Sequence, residues 1–391
     1  MVETLITIYI LICVAMIVFD CFFLVIMNVR HRARKPRLSK NKKMIVKQLA
    51  NLLNGKAVER VHDKKLAHLL KNPVRLHCFS EALDVVEKEI REGIFTVPSP
   101  HEKEGLLISR HEGERCFEQY VTHLGTIAET LFEKYRKKDP TIYTYYVFFL
   151  NKHGLLKYIC KPPVMASLKD LLEDGDIHVC ENVLQAIYSV GDPTLTVQAL
   201  MIVDKKDTPV HPKIISDGLL GYRGDAFALQ SLLLNKRERF SVQMQVNILN
   251  YIRFASDAHC ERIFAILLDE KTDDEVRFSC IRYFGKYKYD PAYFLLRDYV
   301  CGAGGLRHEY CLISLTALRN YPGKETVDLL KMNLRSPNWY IRYNAAESLS
   351  ALGIDYADLV DIFDGEDRFS RDILQFQFDR RYAKEKEEIY L

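Results

Sequence analysis

The sequence predicts an all-α protein, with one N-terminal transmembrane helix followed by an α-solenoid of short helical repeats. Three observations carry this expectation. Residues 4 to 29 form a run of 26 residues with no charge except Asp20. Beyond it, apolar residues keep a helical period, as in Met44, Ile45, Leu49, Leu52 and Leu53. In the second half, a unit of two short helices recurs at intervals of about 30 to 35 residues.

The apolar run exceeds the roughly 20 residues that cross a hydrocarbon core. A basic block follows at once: Arg30, Arg32, Arg34, Lys35, Arg37, Lys40, Lys42 and Lys43. Basic residues stay on the cytoplasmic side, so the expectation is a single-pass membrane protein with a short outward N-terminus and the bulk of the chain cytoplasmic. A cleaved signal peptide would carry its basic flank before the run and a small-x-small site after it, and neither is present. Asp20 at that depth would cost about 2.5–3.5 kcal/mol if ionised. It either snorkels among its apolar neighbours or pairs with a polar group on another transmembrane helix, which makes it a candidate intramembrane recognition residue. The basic block is a candidate contact for anionic lipid, at ~1 kcal/mol per residue near the surface, or a topology signal alone.

Net charge is +3, of which the basic block supplies +8 and the first 29 residues −2, so the remainder carries −3. That near-neutral balance argues against a nucleic-acid binder, which shows a basic domain. None of the ten cysteines stands in a C-x-x-C pair, which fits reduced thiols rather than a zinc site or a disulfide framework.

The elements follow in order: an anchor at 1–29, a basic tether at 30–43, a helical region at 44–154, repeats over 155–365, and a charged C-terminal helix or cap at 366–391. In the helical region Pro73 opens a helix carrying Leu76, Phe79, Leu83, Val86 and Ile90, "TVPSPHEKEG" (96–105) reads as a loop, and 114–137 forms a further helix. An aromatic-rich helix, "TIYTYYVFFLNKHG", comes after "RKKDP". In the repeats, one apolar residue near the end of each second helix aligns as Ile187, Leu219, Leu249, Phe284, Leu318 and Leu349, with spacings of 32, 30, 35, 34 and 31 residues.

Asp274, Val276 and Arg277, and again Ile341, Arg342, Ala345, Ala346, Leu349 and Gly353, give this array a specific resemblance. It resembles HEAT repeats of the short bacterial type, whose second helix often reads as a turn residue, Val-Arg, spaced alanines, Leu and Gly. The resemblance implies structural roles for Asp274, Arg277 and Arg342, with the arginine reaching a neighbouring repeat's acidic turn residue. It covers about half the chain, and the units around 219 and 310 lack the Val-Arg pair.

No phosphate-binding glycine loop, H-E-x-x-H or G-x-S-x-G motif occurs. Three His-Glu pairs, His101-Glu102, His111-Glu112 and His308-Glu309, bear on a HEAT-type di-iron hydroxylase, which uses such pairs at equivalent repeat positions. Only His308-Glu309 lies in repeat register. His62 and Asp63 lack the further ligands of a metal-dependent phosphohydrolase. The sequence therefore predicts no catalytic residues, no metal and no cofactor. The leading expectation is a membrane-anchored scaffold or adaptor that binds a protein, itself an integral membrane protein of transporter or glycosyltransferase type. Trp339, Tyr340 and Tyr343 are the candidate contacts, since aromatics dominate interface energetics. The alternative is a membrane-tethered HEAT-type metalloenzyme, hydroxylase- or lyase-like, with His308 and Glu309 at its centre.

Overall fold

The computed structural model describes the backbone of residues 2–98, 105–159, 162–207, 210–302 and 307–389. The side chains of residues 2–8, 10–11, 24–33, 60 and 384–389 lie outside the described set. The chain forms two units, Met1–Val190 and Gly191–Leu391.

Unit 1 holds α1 (Val2–Leu53), α2 (Arg60–Leu70), α3 (Pro73–Arg91), α4 (Arg110–Arg136), α5 (Pro140–Lys152), α6 (Leu156–Ile159), α7 (Pro162–Asp174) and α8 (Ile177–Val190). Helix starts follow local chemistry. Asn72 accepts from the backbone of Val74 and Arg75, and Asp139 from that of Thr141, with Pro73 and Pro140 at the first helical positions. Thr96–Val97 (β1), at the start of the expected loop at 96–105, pairs antiparallel with Leu106–Leu107 (β2), just beyond it. The core of the unit is rich in tyrosine, and several rings are buried with the hydroxyl bonded to a backbone carbonyl. Tyr146 donates to the Ala128 carbonyl at 2.7 Å, Tyr135 donates to the Leu70 carbonyl, and the two rings stack with centroids 4.0 Å apart.

The expectation of an N-terminal transmembrane helix is overturned: among the described residues no helix is long and apolar enough to cross a membrane. The helix also does not stop at the basic block. It continues through Pro36 to Leu53, and its last turns are core, with Ile45, Val46, Gln48 and Leu49 buried against unit 1. The anchor and the tether are thus one helix with a buried end, and the single-pass arrangement depends on the span that is not found.

Unit 2 holds α9 (Pro193–Val203), α10 (Pro212–Leu220), α11 (Ala226–Asn235), α12 (Val242–Ala255), α13 (Cys260–Leu268), α14 (Asp274–Phe284), α15 (Asp290–Val300), α16 (His308–Leu318), α17 (Lys324–Asn333), α18 (Trp339–Ala351), α19 (Val360–Phe363) and α20 (Arg368–Ile389). Single 3-10 turns lie at Arg237–Arg239 and Tyr356–Leu359. One row runs α10, α12, α14, α16, α18, α20, each helix packed on the next, while α9 packs on α11 and α15 on α17 in a second row. This is a helical, solenoid-like stack. Leu219, Leu249, Phe284, Leu318 and Leu349 fall on successive helices of the first row and are all at most 1% exposed. Burial of each such side chain stabilises by about 1.5–3 kcal/mol. A helix pair alone would leave most of that surface wet, so stacking supplies the core.

Hydrogen bonds between neighbouring pairs carry the same period. Tyr222 donates to the Gly191 carbonyl and Ser348 to that of Leu315, at 2.7 and 2.8 Å and separations of 31 and 33 residues. Gly191 takes a positive φ of 78° and Gly224 packs directly on its backbone, so a Cβ on Gly224 would overlap the Gly191 carbonyl oxygen and the Tyr222 hydroxyl. Gly224→Ala is expected to lose about 1–3 kcal/mol, read as a fall of several degrees in the thermal midpoint, while Gly323→Ala, in open space, leaves the midpoint within a degree.

Candidate functional site

Asn338 caps α18 by accepting from the Tyr340 backbone at 2.9 Å, which sets Trp339 and Tyr340 on the first helical turn. Both rings are exposed, at 52% and 64%, with centroids 5.2 Å apart, and Trp339 stacks on Tyr343 at 5.1 Å. The Tyr343 hydroxyl accepts from Arg380 at 3.0 Å. On the neighbouring α20, Phe369 is 67% exposed, and the Arg342 guanidinium lies 5.1 Å from its ring centre. Trp339, Tyr340, Tyr343 and Arg342 are therefore brought together, and Phe369 joins them. Phe369 was not singled out in the sequence, although Asp367 before it is a helix-start signal: its carboxylate accepts from the Phe369 backbone at 3.0 Å and from the Ser370 hydroxyl.

Asp274 links two successive pairs. It accepts from the Tyr310 hydroxyl at 2.6 Å and from Arg307 at 3.2 Å, both in or beside α16. Burial, together with the bond to Asp274, raises the Tyr310 phenol well above its ordinary range. Arg277 does not take the acidic partner that the repeat resemblance implies. Its Nε donates to the Leu267 carbonyl and its terminal nitrogen to the Tyr299 hydroxyl, both at 3.1 Å, and it stacks over Tyr310. Arg307 reaches Asp274 instead. Arg342 likewise holds an aromatic face rather than a carboxylate.

Asp20 is exposed on α1. Of the basic block, Arg34 pairs with Glu81 and Lys42 with Glu89, both glutamates on α3. Lys35, Arg37, Lys40 and Lys43 are exposed, and the side chains of Arg30 and Arg32 lie outside the described residues. Part of the block thus fastens α1 to α3.

The two described His-Glu pairs are each engaged locally. His101-Glu102 lies outside the described residues. Glu112 accepts from the Ser109 hydroxyl at 2.9 Å at the start of α4. Glu309 accepts from Arg307 at 3.0 Å, and that bond holds its carboxyl below the usual range. Among the described residues no group of three or more His, Cys, Asp and Glu side chains is placed to hold a metal. His62 and Asp63 instead join α2 to α4: His62 bonds the buried Tyr120 hydroxyl at 3.0 Å, and Asp63 pairs with His123 at 2.7 Å.

No family model matches the chain, and no curated protein matches it. Among solved structures the chain is similar to human deoxyhypusine hydroxylase in complex with glycerol, at 15% identity and a TM-score of 0.27, over 67% of this chain and 97% of that one. A likeness of that size transfers no activity.

His62 is 3% exposed, and burial drives its imidazole down to about 4. An unfolded histidine binds its proton near 6.5, so between those values the unfolded chain binds more protons. Stability from His62 is therefore complete above pH 6.5 and lost as pH falls towards 4, by roughly 3 kcal/mol. His153, half-buried and held at about 4, acts in the same direction. Urea unfolding followed from pH 7.5 to 4.5 is expected to show that decline, and His62→Gln reduces its slope without removing it.

Proposed function

We propose that the chain is a helical-repeat scaffold whose unit 2 binds a partner protein through the aromatic surface at the starts of α18 and α20. The observation that carries this is the joint exposure of Trp339, Tyr340 and Phe369 on adjacent helices whose other faces are core. Trp, Tyr and Arg are the side chains most enriched at interface hot spots, and each large ring offers about 150–250 Å² of rigid contact. Arg342 and Arg380 hold two of the rings in place, so little side-chain freedom is lost on binding. A photo-crosslinking residue at Tyr340 is expected to form a discrete adduct with one protein in cells, lost in Trp339→Ala/Phe369→Ala. An identical pattern from Met332, an exposed position on α17, would count against the surface.

The second reading is a metalloenzyme of hydroxylase or lyase type centred on His308 and Glu309. Its support is confined to the sequence resemblance, and Glu309 is engaged by Arg307. Elemental analysis of the purified chain separates the two. The scaffold reading expects no stoichiometric iron or zinc, whereas one metal per chain, lost in His308→Ala, would replace it.

A further inference from the structure

At the opposite ends of the first-row helices, a cleft of about 280 Å³ opens between α12, α14 and α16. Four cations line it: Arg253 in the last turn of α12, Arg282 in the last turn of α14, Lys286 just beyond it, and Arg319 at the end of α16. No carboxylate lines the cleft. Among the described residues none of the four forms an ion pair with an acidic side chain. Phe254, 53% exposed, forms an aromatic wall with Arg253 at 4.8 Å and Lys286 at 5.3 Å from its ring centre.

One cation per helix end would complement the exposed carbonyls of α12, α14 and α16. Here four cations meet over three ends, and their mutual repulsion is uncompensated. Arg253 is half-buried, its Nε has no hydrogen-bond partner, and burial together with the Arg282 charge lowers its proton affinity. Like charges crowded into a cleft without a counter-charge lower the cost of binding an anion there. Guanidinium groups match carboxylates in planar, paired hydrogen bonds. Neighbouring packed helices lie about 8–10 Å apart, and an extended polyproline II segment rises about 3.1 Å per residue with three residues per turn. Such a segment crossing the row would thus present every third side chain, on one face, to a successive helix end.

We propose that this cleft binds an extended acidic segment of a partner protein, laid across α12, α14 and α16 with carboxylates about three residues apart. This rests on the protein-docking reading of unit 2 and names the chemistry of a second contact, separate from the aromatic surface.

The test uses the full chain and three probes by fluorescence anisotropy in 50 mM salt. They are a labelled peptide with Glu at every third position among Gly and Ser, the same composition with the Glu residues in one block, and inorganic pyrophosphate as competitor. The spaced peptide is expected to bind more tightly than the blocked one. Its affinity should fall about 10-fold or more in Arg282→Ser/Arg319→Ser and decline with added salt. Both replaced side chains are exposed, and an unchanged thermal midpoint confirms that the variant folds. Equal binding by wild type and variant overturns the proposal. So does pyrophosphate binding that depends on Arg282 while neither peptide binds, which would make the cleft a small-anion site. If the peptides fail while the Tyr340 adduct forms, the acidic-segment proposal falls and the docking reading stands; loss of the adduct alone removes the docking reading.

Discussion

In unit 2, a hydroxyl of one helix pair donates to a backbone carbonyl of the pair before it, as Tyr222 and Ser348 do. Much else in the unit depends on this constraint. Ser348 is 1% exposed, so an unmade bond would leave a buried donor and a buried acceptor without water, at about 1–3 kcal/mol each. The bonds therefore fix the register between pairs as well as the distance between them. Apolar burial is tolerant of small slides; these bonds are not. Because the register is fixed, equivalent ends of successive helices line up. That alignment sets Trp339 and Tyr340 near Phe369 at the starts of α18 and α20, and Arg253, Arg282 and Arg319 beside one another at the ends of α12, α14 and α16.

Asp274 shows how the same problem is solved with charge. Its carboxylate receives a phenol and a guanidinium from the following pair, tying α14 to α16. The arginine of its own helix, Arg277, turns inward to a carbonyl and two tyrosines. The local sequence around Asp274 and Arg277 suggested a helix start and an inter-repeat role, but nothing in it says which arginine meets which acid. That pairing depends on the length of the connection between α15 and α16, which places Arg307 before the helix start.

The helical period and the recurrence of buried residues at Leu219, Leu249, Phe284, Leu318 and Leu349 were legible because each repeat must bury one stripe, and stripes leave a periodic trace. Pro73 marked a helix start for a comparable reason, since a missing N–H is harmless there. The N-terminal run misled because hydropathy reports how apolar a stretch is, not where a helix ends. α1 continues past Arg34 and Lys42, which find Glu81 and Glu89 on α3, partners 47 residues away that no local pattern reveals. The aromatic surface was partly visible as Trp339, Tyr340 and Tyr343. Phe369 escaped notice because only the stack brings α20 beside α18. The cationic cleft escaped for the same reason: its members stand at Arg253, Arg282 and Arg319, each unremarkable at the end of its own helix.

Hydrogen exchange followed by mass spectrometry on wild type and Asp274→Ala tests the register most directly. If bonds between pairs hold the stack, removing this carboxylate raises amide exchange in both α14 and α16 and leaves α1 to α4 at wild-type levels. Faster exchange confined to α14, with α16 unchanged, would contradict it, because each pair would then be holding its own structure without its neighbour.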